Sequence, residues 1–295
     1  MPAFTILDGG MGRELKRIGA PFRQPEWSAL ALIEAPEAVL GVHRAYVAAG
    51  AEVITTNSYA VVPFHIGAER FEREARGLCD LAGQLARQAA DDRPAGAVRV
   101  AASLPPLFGS YRPDLFDQAE AARLLAPLIA GLSAQADIWL AETLSSTEEA
   151  RVVIEALKGD RRPLWLSFTL DDEAASSPRL RSGEPAGNAA RLAQASGAQA
   201  LLFNCSQPEV MEAAIVSAAA QAGGIAIGVY ANAFPPQPKD AQANATLSRL
   251  REDLDPEGYA GWAAKWLTAG ASIIGGCCGI GPEHIAALAE LGQTQ

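Results

Sequence analysis

Eight short apolar runs recur along the chain, each followed by a longer amphipathic segment, and this alternation restricts the fold more than any other feature. The runs occupy residues 4–10, 53–59, 98–104, 138–144, 164–170, 200–205, 225–232 and 272–277. Most are continuous stretches rich in Val, Ile and Leu rather than alternating ones, as expected of strands covered on both faces. The segments between them follow a helical period. Residues 36–50 place Val39, Val42, Tyr46 and Val47 on one face and end on Gly50, suited to a helix C-terminus. Residues 117–136, 146–158, 188–196, 208–222, 256–269 and 282–291 behave alike, and Pro208, Pro256 and Pro282 stand where a first helical turn has no use for an N–H.

Eight β-then-α units in 295 residues predict a single-domain (β/α)8 TIM barrel spanning residues 1–295. A doubly wound open sheet is the alternative. No linker or low-complexity run divides the chain. Two connections are long, 171–187 after the fifth strand and 233–255 after the seventh, and both are expected on the barrel's C-terminal rim as lids or binding loops.

Composition narrows the function. A net charge of −10 and a pI near 4.9 oppose binding to nucleic acid or an anionic membrane, each of which needs a basic face. No apolar run approaches the roughly 20 residues of a membrane span. The opening MPAFTILDGG lacks the basic and apolar regions of an export signal. A cytoplasmic protein acting on small molecules is expected, as a monomer or small homo-oligomer. In that compartment cysteines serve metals or catalysis more often than disulfides.

Barrel active sites are built where strands end. The expected ends carry Asp8-Gly9-Gly10, Thr55-Thr56-Asn57-Ser58, Ser103, Glu142-Thr143, Ser167, Asn204-Cys205-Ser206, Tyr230 with Asn232, and Gly276-Cys277-Cys278-Gly279. Three of the four cysteines thus fall at the ends of strands six and eight, two positions apart around one rim. Three thiolates suit zinc, and three protein ligands leave the fourth position that a catalytic zinc uses. Flanking glycines let the adjacent pair leave strand geometry, so that both sulfurs turn inward. On spacing alone Cys205 and Cys277 also fit as small buried hydrophobes. Cys79 lies mid-helix without a polar cluster and is left out of the site. His43, His65 and His284 fall on helices and are expected to be structural. A phosphate loop at GGCCGIGPEH is a further alternative, weakened by the absence of Lys-[Ser/Thr] and by Pro282 and Glu283 at the helix start.

The set DGGMG (8–12), TTNSY (55–59), ET (142–143), NCS (204–206) and GGCCG (275–279), with WSAL (27–30) and PEHI (282–285), resembles the homocysteine S-methyltransferase family over nearly the whole chain. The resemblance implies a (β/α)8 barrel holding one Zn2+ per chain through Cys205, Cys277 and Cys278. It implies that Asp8 and Glu142 hold the homocysteine ammonium, with Gly9, Asn57 and Ser167 lining the same pocket. Arg13 stands where many relatives carry Thr or Ser, YANAFPP replaces a Tyr-Pro-Asn form after strand seven, and the connection after strand three has its own double proline. These departures concern the methyl donor. The expected reaction moves a methyl group from a sulfonium to the thiol of L-homocysteine, giving methionine. S-methylmethionine is the first candidate donor and S-adenosylmethionine the second, since no cobalamin or folate module follows the eighth helix. Tyr111, Tyr230 and Phe234 are candidates to face the cation. A selenol acceptor, and a lyase or aldolase acting on a phosphorylated substrate, are the alternative functions.

Overall fold

The computed structural model describes residues 4–174, 176–237 and 249–294. Strand β1 (Thr5–Ile6) leads into α1 (Met11–Arg17), α2 (Ser28–Glu34) and α3 (Pro36–Ala49), and β2 (Val53–Thr55) into α4 (Pro63–Ile66) and α5 (Ala68–Asp91). Strand β3 (Arg99–Leu104) is followed by a 3-10 turn (Pro113–Leu115) and α6 (Gln118–Leu132), β4 (Ile138–Leu144) by α7 (Thr147–Ala156), and β5 (Leu164–Phe168) by α8 (Ala186–Ser196). Strand β6 (Ala200–Asn204) precedes α9 (Pro208–Ala219), β7 (Ala226–Tyr230) precedes α10 (Pro256–Ala269), and β8 (Ile273–Ile274) precedes α11 (Pro282–Thr294).

All strand pairs are parallel, in the order β1-β8-β7-β6-β5-β4-β3-β2. One bridge, Leu7 with Val53, closes the sheet into a barrel, flanked by bonds from Glu52 N to Ile6 O at 2.8 Å and Asp8 N to Val53 O at 3.0 Å. This is the (β/α)8 architecture expected from the alternation, and the open-sheet alternative falls. No described helix is long and apolar enough to cross a membrane.

Two apolar clusters follow from the two-residue period of strands. Leu7, Val53, Ala101, Ile138, Leu140, Trp165, Ala200, Leu202, Tyr230 and Ile273 form the barrel interior. Their neighbours, such as Ile54, Val100, Trp139, Leu166, Phe203 and Val229, pack outward in a larger cluster with the helices. The helices begin and end as their sequences dictate. The Asp117 carboxylate accepts from Ala119 N and Glu120 N, Ser146 Oγ from Glu149 N, and the Asp255 carboxylate from Gly258 N, each satisfying a first-turn donor. Gly50 closes α3 in the left-handed region at φ 108°.

The strands at the seam are shorter than their apolar runs. β1 and β8 hold two residues each, because the chain leaves the ladder to build the rim. Its bonds continue irregularly, from Gly275 N to Val229 O, Gly276 N to Asp8 O and Cys277 N to Ala231 O. Of the two long connections, the first folds back on itself through the bridges Leu170–Leu180 and Arg179–Pro185. Residues 238–248 of the second lie outside the described residues. The two are joined by Asp172, whose carboxylate accepts from Gln207 N and Gln237 N at 2.9 Å and pairs with Arg181 at 3.1 Å, both side chains being buried.

Barrel interiors are filled, so added volume there has nowhere to go. A Cβ on Gly228 of β7 would lie 2.8 Å from Ile273 Cβ and 2.9 Å from Leu202 Cδ2. Gly228→Ala is expected to cost about 1–3 kcal/mol of stability, read as a lower denaturation midpoint in urea; an unchanged midpoint would show that the interior has slack.

Candidate active site

The inward faces change chemistry along their length. Ala101 is followed on the same face by Ser103, Leu140 by Glu142, Trp165 by Ser167, and Leu202 by Asn204. The barrel is therefore plugged with apolar side chains at one end and polar at the other. At the polar end lies a cleft, partly open to solvent, whose walls include Asp8, Gly9, Asn57, Glu142, Cys205, Cys277 and Cys278. Seven of the eight residues expected at the site are thus brought together. Ser167 is the eighth. It is buried beneath the cleft, where its Oγ donates to Asn204 Oδ1 at 2.7 Å. Asn204 in turn accepts from Thr143 N at 3.0 Å and donates to Thr143 Oγ1 at 2.8 Å. In this structure Ser167 supports the wall rather than forming it.

The three sulfurs of Cys205, Cys277 and Cys278 lie within 4.8 Å of one another, forming a metal-sized group among the described residues. Local sequence explains how adjacent cysteines reach one point. Gly279, at φ 89°, lets the chain reverse, and Ile280 N donates back to Cys277 O at 3.1 Å. The DGG turn packs against this loop without room for side chains, a Cβ on Gly9 lying 2.2 Å from Ile280 O. Tyr46 OH donates to Ile280 O at 3.1 Å, and Tyr259 OH to Gly275 O at 2.6 Å, fixing the loop from α3 and α10. Cys205 is held at φ 49°, and its carbonyl accepts from Tyr111 OH at 3.2 Å.

In this structure Cys205 and Cys277 are joined in a disulfide and Cys278 is a free thiol. The physical reason is proximity, since a placement that lets three sulfurs surround one ion also lets two of them meet. Burial pushes the Cys278 thiol up to about 11, against the pull of Arg13 and with the push of Glu142.

Asp8 and Glu142 are both buried. The Asp8 carboxylate accepts from Thr55 N at 2.7 Å and from Thr55 Oγ1 at 3.0 Å. Glu142 accepts from Ser103 Oγ and, at 3.2 Å, from Tyr230 OH. Burial raises the pKa of Asp8 to about 8, helped by the charge of Glu142 and opposed by the Thr55 bonds, and burial raises Glu142 too. Among the described residues, no Lys, Arg or His lines the cleft. Two carboxyls are therefore desolvated together without a lining cation, an arrangement that favours an incoming one. Asn57 Nδ2 donates to Ser28 O at 3.1 Å, which leaves its buried Oδ1 unpaired.

Tyr111, Tyr230 and Phe234, the candidates to face a cation, all line the cleft. Trp27, Tyr59 and Thr143 do as well and were not singled out as site residues, although each stands in a quoted motif. The histidines lie elsewhere. His43 is buried in α3, His65 Nδ1 lies 2.6 Å from Pro25 O, and His284 Nδ1 accepts from Gly281 N at 3.2 Å. That last bond occupies a donor that a phosphate loop would use. Cys79 is buried opposite Gly131 between α5 and α6, outside the cleft.

Residues 5–291 match a family model described as homocysteine S-methyltransferase. The homocysteine S-methyltransferase of Escherichia coli (strain K12) is 33% identical over 303 residues, covering 96% of this chain and 93% of that protein. Two solved structures of the homocysteine methyltransferase MmuM from Escherichia coli superpose with a TM-score of 0.81 and cover 98% of this chain and 96% of theirs. One is of the metallated form at 30% identity, the other of the oxidized form at 28%. With the motifs in order, the barrel closed and the three cysteines at one rim, the chain belongs to the homocysteine S-methyltransferase family.

Proposed function

We propose that this chain transfers a methyl group from a sulfonium donor to the thiol of L-homocysteine, using one zinc ion held by Cys205, Cys277 and Cys278 in the reduced protein. The observation that carries this reading is the pairing, in one cleft, of two buried carboxyls that lack a lining cation among the described residues with three clustered sulfurs. An ω-thiol amino acid presents an ammonium at one end and a sulfur at the other.

The donor set fits zinc. It consists of three soft sulfurs within 4.8 Å of one another, without a carboxylate or imidazole in the group. Reduction of the Cys205–Cys277 bond returns the two thiols that ligation needs. Zinc bound there supplies a Lewis acid that keeps a substrate thiol ionised and nucleophilic at neutral pH. The remaining work falls to the chain. Asp8 and Glu142 take the ammonium and so fix the substrate's sulfur toward the cysteines. Thr55, Ser103 and Tyr230 hold those carboxylates in place. Holding both reactants in line replaces a bimolecular encounter with a positioned displacement. The acceptor sulfur forms a bond to the methyl carbon while the bond from that carbon to the donor sulfur breaks. The electron pair stays on the donor sulfur, which becomes a neutral thioether, and the thiol proton is released. Both products are methionine when the donor is S-methylmethionine.

A sulfonium donor accords with the lining, since the aromatic residues Trp27, Tyr59, Tyr111, Tyr230 and Phe234 all border the cleft. S-methylmethionine is the first candidate and S-adenosylmethionine the second.

Reduced, purified protein is expected to carry about one zinc per chain and to methylate homocysteine from one of these donors, read by mass spectrometry. Protein that binds no zinc and uses neither donor would end this reading. Cys277→Ala and Cys278→Ala are each expected to lose zinc and to lower the rate by more than about 100-fold, beyond what removal of an outer-shell partner costs; retained activity would remove them as ligands.

Asp8 yields a pH prediction. Its pKa stands at 3.8 in the unfolded chain and about 8 when folded. The folded state therefore gains from the neutral carboxyl below about pH 4, and this contribution is lost as pH rises through about 8. Asp8→Asn removes the titration. The variant is expected to melt higher than the parent at pH 8, with the gap closing toward pH 4, while its KM for homocysteine rises at least about 10-fold. A variant less stable than the parent at both pH values would refute the strain assigned to Asp8.

A further inference from the structure

Two separate sets of bonds hold the walls of the cleft. Asp8 and Glu142 rest on Thr55, Ser103 and Tyr230, which belong to the barrel strands. Tyr111, Phe234 and Gln237 line the cleft from the connections after β3 and β7. What fixes this second wall converges on one carboxylate. The Asp172 side chain has no solvent exposure, and it accepts from Gln207 N through Oδ1 and from Gln237 N through Oδ2, both at 2.9 Å. Its Oδ2 also pairs with Arg181 at 3.1 Å. Arg181 in turn donates to Gln237 O at 3.1 Å and lies over the Tyr111 ring, 4.8 Å from its centroid. The Gln207 side-chain amide donates to Phe234 O. Gln237 is thus gripped at both its N–H and its C=O, and Tyr111 and Phe234 are tied to the same buried pair. Both carboxylate oxygens are in use. An amide in that place would offer one acceptor where two are needed, and would set an N–H against an N–H.

We propose that Asp172 is a positioning residue for the methyl donor, setting through Gln237 and through Arg181 on Tyr111 the wall against which the donor is held. The role rests on the reading of the cleft as a homocysteine methyl-transfer site. The donor rather than the acceptor is indicated because the acceptor's anchors are held from elsewhere. Asp8 and Glu142 take their bonds from the strands. Cys205 touches the second wall where its carbonyl accepts from Tyr111 OH, but its N–H donates to Tyr230 O at 3.2 Å, and the neighbouring Ser206 Oγ accepts from Leu170 N at 2.8 Å. The ammonium site and the sulfur cluster therefore stand without Asp172, and the wall that it carries is left for the second reactant. In-line transfer needs that reactant aligned as closely as the first.

The test uses the reduced, zinc-loaded parent with Asp172→Asn and Asp172→Glu, and Gln237→Pro with Gln237→Ala. S-methylmethionine and S-adenosylmethionine are each offered with homocysteine. Asp172→Asn is expected to raise the donor KM about 10- to 100-fold, the worth of a hydrogen-bonded charge, with a smaller fall in kcat. The homocysteine KM and the zinc content stay at parent values. Asp172→Glu, which keeps the carboxylate, recovers part of the loss. Gln237→Pro deletes the N–H that Asp172 receives while leaving its partner Arg181, and is expected to raise the donor KM beyond Gln237→Ala, which keeps that N–H. This second pair decides the matter if Asp172→Asn does not fold. An unchanged donor KM, an equal rise for donor and homocysteine, or loss of zinc from Asp172→Asn would overturn the proposal. Calorimetric binding of the same two sulfoniums in parent and Asp172→Asn provides a readout independent of turnover. A parent that binds a sulfonium but transfers no methyl group would fail the functional reading alone. Sulfonium binding unchanged in Asp172→Asn, or absent from the parent, would fail the role of Asp172.

Discussion

Closure of the sheet at Leu7 and Val53 is the constraint on which the rest depends. A single bridge and two flanking hydrogen bonds join the first and second strands. Without them Asp8 would stand at a free edge rather than against Thr55, and the rim of β8 would not face the end of β6. With the ring closed, every strand presents alternate residues inward. Side chains far apart in sequence, such as Ser103, Glu142, Asn204 and Tyr230, then meet over a plug of Leu, Ile and Trp. The apolar half of each inward face holds the barrel, and the polar half becomes the site.

Strain is concentrated in the same place. Trp27, Tyr111, Thr143 and Cys205 are the non-glycine residues with positive φ among those described, and all of them line the cleft. Such conformations cost on the order of 1–3 kcal/mol each and persist only where the surroundings enforce them. The surroundings are visible. Tyr111 is fixed between the Arg181 guanidinium and the Cys205 carbonyl, and Thr143 is held from two sides by Asn204. Helices and strands elsewhere absorb this cost through burial, so the cleft can be shaped for a ligand rather than for its own stability.

Electrostatics follow the same division. Asp8 and Glu142 are buried with no cation among the described lining residues, and burial raises both carboxyls. The disulfide between Cys205 and Cys277 likewise results from gathering sulfurs closely enough to share an ion.

The sequence by itself determined the architecture, because continuous apolar runs alternating with amphipathic segments have few other ways to bury themselves. It also pointed to most of the candidate site. Cys205, Cys277, Cys278, Asp8 and Glu142 were legible from their positions at strand ends and from the family motifs. Local pattern did not show where a strand end turns, so β1 and β8 proved shorter than their runs, and α1 and α2 were not delimited. The family resemblance put Ser167 at the pocket, and only the tertiary structure showed it buried and bonded to Asn204. Only the tertiary structure joined two cysteines 72 residues apart, stacked Arg13 on Phe234, and left Asp8 and Glu142 without a lining cation among the described residues. Period and composition report which face a residue takes. Depth along the barrel axis, and which charges share a cavity, are fixed only when all eight strands close.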